Sequence, residues 1–80
     1  MERNELVDKL TVIFRSVFNN DQLVITDELT ANDVANWDSL SHMILIGEVE
    51  KSLGITFKLK ELNKMKNVGN MMDIILSKLS

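Results

Sequence analysis

The chain has no cysteine. Disulfides and thiolate metal sites are therefore excluded. The lone histidine, His42, cannot build a metal site by itself. Proline is absent, and aromatics are scarce at three Phe, one Trp and no Tyr. Leu, Ile, Val and Met must then fill the core. No apolar run approaches the length of a membrane span. The opening MERNELVDKL is charged throughout and lacks the apolar stretch of a signal peptide, so a cytoplasmic protein is expected. There are no repeats and no low-complexity tracts.

What is present is an ordinary globular mixture, 45% hydrophobic and 26% charged, in 80 residues. That length gives one domain, 1–80, and not two. A core of this size is marginal, and helix packing is the remaining source of stability. The net charge of −3 is unevenly spread. Residues 19–38 hold five acids (Asp21, Asp27, Glu28, Asp33, Asp38) and no base. Residues 58–66 hold four Lys (Lys58, Lys60, Lys64, Lys66) against Glu61. An acidic middle repels phosphates, which argues against nucleic acid as a partner. The Lys cluster reads either as a solvated face or as a docking patch for an acidic partner.

Residues 3–18 set Leu6, Leu10, Ile13, Phe14 and Val17 at helical spacing, with Val7 and Phe18 flanking, which predicts an amphipathic helix. Asn19, Asn20 and Asp21 end it, because their side chains compete for backbone hydrogen bonds. Residues 20–38 have no helical period. So long a connection is expected to be functional or anchored, and Leu23, Ile25, Leu29, Val34 and Trp37 are the candidate anchors. One helical turn is possible at 31–35, capped by Thr30.

Residues 39–53, wound at about 100° per residue, place Leu45, Ile46, Val49 and Leu53 on one side, together with His42. Leu40, Met43, Ile44, Gly47 and Lys51 fall on the other. This helix is apolar on two faces, and a small bundle cannot easily bury both. The second face is either packed under the long loop or offered to partners. Gly47 costs about 1 kcal/mol relative to Ala in a helix interior; close approach by another body is one reason to tolerate it. Gly54 is a C-cap candidate. Residues 55–58 read as extended or irregular, and 59–64 as one short helical turn or two. Asn67 then caps a last helix whose stripe is Val68, Met71, Met72, Ile75 and Leu79. The predicted fold is all-α: a small bundle of three main helices and one short one, with a long loop between the first two.

Asp38, Ser39 and His42 have the side chains of a nucleophilic triad but not its geometry. On a helix Ser39 and His42 point about 60° apart, with no third group to orient the imidazole and no Gly-rich oxyanion loop. No phosphate-binding glycine pattern and no metal-ligand pair appears. A chain this small does not easily enclose a substrate pocket. No enzyme is expected, and His42 reads as a half-buried structural residue near Trp37. For Ser39 two readings stand. Asp38 or Ser39 caps the helix, as helix starts commonly require. Alternatively, Ser39 is an exposed hydroxyl whose phosphate ester would sit beside a positive helix end.

Asp38-Ser39-Leu40, opening an apolar helix in an acidic helical chain of this length, resembles the acyl carrier protein family. ITDELTANDVANWDSL is similar to that family's loop into its motif. LIGEVEKSLGITF is similar to the rest of its second helix and the turn after it, and KNVGNMMDII to the start of its last helix. The resemblance implies a 4′-phosphopantetheine arm on Ser39, within the motif of Asp38 and Leu40, whose thiol carries acyl groups as thioesters. It implies a partner-facing side of Leu40, Met43, Ile44, Gly47 and Lys51. The implied partners are a phosphopantetheinyl transferase, which takes the arm from coenzyme A and supplies its own metal, and acyl-activating or acyl-transferring enzymes. The arm and its cargo are expected to slip between the helices of a monomer. Trp37 before the motif, few acids in residues 40–53 and the basic KLKELNKMK differ from the carriers of general fatty-acid synthesis. Trp37-Asp38-Ser39-Leu40 followed by His42 resembles instead the stand-alone carriers of dedicated bacterial pathways, such as specialised acyl, polyketide, surface-polysaccharide or amino-acid modification routes. An aminoacyl carrier with the same arm is an alternative, although the Gly-Gly pair common in peptidyl carriers is missing. An unmodified helical adaptor binding through residues 40–47 is another.

Overall fold

The computed structural model describes residues 1–79 and contains α1 (Arg3–Val17), a single 3-10 turn (Ala31–Asp33), α2 (Ser39–Leu53), a short α3 (Leu59–Leu62) and α4 (Val68–Leu79). The all-helical expectation holds. α1 packs against α2 and α4. Its stripe of Leu6, Leu10, Ile13 and Phe14 is buried against Leu45, Ile46 and Val49 of α2 and against Val68, Met71, Met72 and Ile75 of α4. Three residues expected on core faces differ from expectation. Val17, Leu53 and Leu79 are only partly buried, because each sits in the last turn of its helix, where the core thins. Phe18, just past the end of α1, is buried in the place that the spacing gave to Val17. α1 ends where Asn19 turns left-handed, at φ 50°. α2 ends at Gly54, whose φ of 67° is the left-handed cap conformation that glycine adopts without a Cβ penalty.

The long loop is anchored to the core by its apolar side chains. Ile25 and Val34 are buried, and Leu23, Leu29 and Trp37 pack against the core. Thr30 and Asp33 close the 3-10 turn, with Asp33 accepting from the Thr30 N–H at 2.9 Å. Two loop carbonyls do a second job. The first N–H groups of a helix have no partner inside it; here Val68 donates to Leu29 O and Gly69 to Asp27 O, each at 2.9 Å. Asn67 accepts from the Asn70 N–H at 2.8 Å, as its expected role as cap requires. Arg3 then bridges the loop and α4, reaching Asp27 at 3.2 Å and Asp73 at 2.9 Å.

Gly69 is where loop and helix come closest. A Cβ there would lie 3.1 Å from both the Cβ and the carbonyl oxygen of Asp27. That carbonyl cannot retreat without lengthening its bond to the Gly69 N–H. Gly69→Ala is therefore expected to destabilise the fold by about 1 kcal/mol. The clash of about 1–3 kcal/mol is partly offset by the better helix propensity of Ala. Urea unfolding checks it; an unchanged or raised midpoint would show that the loop yields freely.

Candidate functional site

The start of α2 is held by a reciprocal box. Asp38 is the N-cap, and its Oδ1 accepts the N–H groups of Leu40 at 3.0 Å and Ser41 at 2.9 Å. The Ser41 hydroxyl accepts from the Asp38 N–H at 2.8 Å and donates to Asn36 O at 2.7 Å. Asn36 is left-handed at φ 71°, which turns its carbonyl into that bond. The Ser41 N–H is the main cause that holds the Asp38 carboxyl below its ordinary value. Of the two cap candidates, Asp38 fills the role.

Ser39 takes no part in this box. It is the first helical residue, exposed, with its neighbours on both sides fixed by the cap. Ser41, which sequence reasoning missed, closes the box from the helix side by accepting the Asp38 N–H. The spacing Asp-x-x-Ser carried the signal, as a variant of the capping box in which a hydroxyl replaces the usual Glu or Gln.

Beside Ser39 a cleft of about 540 Å3 opens between the start of α2 and residues 62–67. Trp37, His42, Leu62, Met65 and Met71 supply its apolar walls, and Asp38, Asn63, Lys66 and Asn67 its polar ones. A space of this size was not expected in so small a chain. It is an open surface groove rather than an enclosed cavity, which is how 80 residues hold it.

Trp37 is fixed from two sides. Its ring meets Phe14 edge-on at 5.5 Å between centroids and Phe18 at 5.5 Å. Its Nε1–H donates to His42 Nδ1 at 3.1 Å, and the two rings stack at 6.0 Å. His42 is thus the structural partner of Trp37 that the sequence suggested. With Nδ1 accepting, the ring is neutral and carries its proton on Nε2. Burial lowers the His42 pKa. A lowered His pKa means that the folded state favours the neutral form. The stabilisation is present above the unfolded value near 6.5 and is lost as pH falls through the folded value. Stability is therefore expected to drop on going from pH 7 to pH 5, and His42→Gln to flatten that drop. Urea midpoints at the two pH values check it; equal slopes for both proteins would remove His42 as the cause. The Asp38 contribution follows the same sign at lower pH, being lost only below about 4.

The outer face of α2 stays open. Leu40 is 74% exposed, Met43 56% and Ile44 52%. Gly47 has no atom near its missing Cβ, and Lys51 is exposed. The loop is tied to α4 and does not cover this face. Leu45, Ile46 and Val49 line the inner face, as expected. Lys58, Lys60, Lys64 and Lys66 are all exposed, while Glu61 is engaged by Lys78 at 2.8 Å and by the Lys58 N–H at 2.7 Å. Among the described residues no helix is long and apolar enough to cross a membrane.

α2 therefore presents an uncommitted hydroxyl at a capped helix start, with an exposed apolar face beside it. No protein-family model and no curated protein matches the chain. Among solved structures, the solution NMR structure of a holo acyl carrier protein from Geobacter metallireducens matches with a TM-score of 0.87. It is 52% identical, covering 91% of this chain and 84% of that one. The chain belongs to the acyl carrier protein family.

Proposed function

We propose that Ser39 is the attachment site of a 4′-phosphopantetheine arm and that the protein carries acyl groups on it for a dedicated biosynthetic route in the cytoplasm. The observation that carries this reading is the free Ser39 hydroxyl: α2 is capped by Asp38 and Ser41 without it. The neighbour of known structure is a holo carrier, which agrees.

The residues present fit such an arm. Ser39 is exposed, and the cleft beside it pairs apolar walls with amide and ammonium groups. Attachment joins Ser39 Oγ to the pantetheine phosphate of coenzyme A and breaks the pyrophosphate bond. Adenosine 3′,5′-bisphosphate leaves, and the Ser39 proton is taken up by a base of the transferase. When bound, the arm supplies a terminal thiol that holds an acyl group as a thioester. The chain's own part is to present Ser39 on a rigid helix start and to dock enzymes through Leu40, Met43, Ile44, Gly47 and Lys51. A tethered thioester then reaches each docked enzyme at high local concentration. An outer face with few acids, succeeded along the chain by four exposed Lys, supports partners other than those of general fatty-acid synthesis.

Intact mass before and after incubation with coenzyme A and a broad-specificity phosphopantetheinyl transferase tests the reading. A gain of one phosphopantetheine is expected. A folded, initially unmodified protein that gains nothing would overturn it and leave the 40–47 face as the binding surface of an adaptor.

A further inference from the structure

A phosphodiester on Ser39 would create a charge problem at the start of α2. Asp38 is the adjacent residue, and the hydrogen bonds of the cap favour its ionised form. Two negative groups would then face the same cleft. Among the described residues one cation lines that cleft, Lys66. The Lys66 backbone is held near α4, its N–H donating to Asn70 Oδ1 at 3.3 Å. Among the described residues no carboxylate pairs with Lys66, and the acid nearest in sequence, Glu61, is bonded to Lys78. The ammonium of Lys66 is therefore available, and Lys66 lines the same cleft as Ser39.

We infer that Lys66 is the counter-ion of the arm's phosphodiester, and that this pairing biases the arm into the cleft beside Trp37 rather than out into solvent. The inference rests on Ser39 being the attachment site. It gives one member of the basic segment a role within the carrier and leaves Lys58, Lys60 and Lys64 outside it. It also gives a use to the mixed lining of the cleft: Lys66 would meet the charged link, and Leu62, Met65 and Met71 the uncharged remainder of the arm. A pairing at an exposed rim is weakened by salt, since the screening length falls to about 3 Å at 1 M.

The test uses wild type, Lys66→Met, Lys66→Arg and Lys60→Met, each in apo and holo form, with intact mass confirming arm attachment. The readout is the NMR shift of the Trp37 indole N–H between apo and holo protein. In wild type the arm should move this resonance at low salt, and 1 M NaCl should reduce the change to about half or less. Lys66→Met should show the reduced change at low salt, Lys66→Arg should restore it, and Lys60→Met should match wild type. A Lys66→Met protein that takes the arm and reproduces the wild-type shift overturns the inference, as does an unmoved Trp37 in wild type. If wild type gains no arm mass, the carrier reading itself falls. Intact mass registers that outcome before any NMR comparison, so the two failures are distinguishable.

Discussion

Ser39→Ala should take up no phosphopantetheine and yet unfold at the same urea concentration as wild type, within about 0.5 kcal/mol. Ser41→Ala should do the opposite. It should accept the arm but lose about 1 kcal/mol of stability. The two hydroxyls are two residues apart and chemically identical, so only their positions separate the effects. Ser41 closes the box, accepting from the Asp38 N–H and donating to Asn36 O. Removing it leaves both groups to water and frees the chain that leads into the helix. Ser39 stands at the first helical position, where Ala is well tolerated, and its hydroxyl contributes nothing to the cap. Intact mass and urea unfolding on both variants check the crossing. If Ser39→Ala is the variant that loses stability, the hydroxyl is a cap after all and the attachment site loses its main support.

Phe14→Ala should have the largest effect on the fold, about 3–5 kcal/mol. Cores of this size rarely supply more than about 3–5 kcal/mol of net stability, so the variant is expected to be largely unfolded at 37 °C. Phe14 is fully buried in α1. Its ring packs on Phe18 at 5.9 Å and meets Trp37 edge-on at 5.5 Å, so it joins α1 to the end of the long loop. Trp37 in turn bonds His42 on α2 and directly precedes the Asp38 cap. The placement of Ser39 thus depends on a ring that lies on a different helix. Circular dichroism during urea unfolding gives the midpoint. A loss below about 1 kcal/mol would mean that the aromatic cluster does not hold the site.

α1 and α4 were legible because each has a one-sided stripe. Leu6, Leu10, Ile13 and Phe14 recur at a helical period, and so do Val68, Met71, Met72 and Ile75. α2 was legible for the opposite reason. Its two apolar faces forced a choice between burial and exposure, and the structure leaves Leu40, Met43 and Ile44 exposed. The motif at Ser39 was legible through family likeness; its physical context was not. The hydroxyl of Ser41, three residues past Asp38, was a local signal that went unread. The bonds from Val68 and Gly69 to loop carbonyls, the reach of Arg3 to Asp27 and Asp73, and the cleft that brings Lys66 and Asn63 beside Ser39 had no local signal. They join residues about 25 to 70 positions apart, and periodicity reads only neighbours within a few turns.

Peptide-level mass spectrometry of the transferase-treated protein tests the central claim most directly. Trypsin should release Ser16–Lys51 as one peptide, because no Lys or Arg lies between Arg15 and Lys51. That peptide contains Ser16, Ser39 and Ser41. Fragmentation should place a single phosphopantetheine on Ser39. A modification found on Ser41, or a folded protein with Ser39 left bare, would contradict the account.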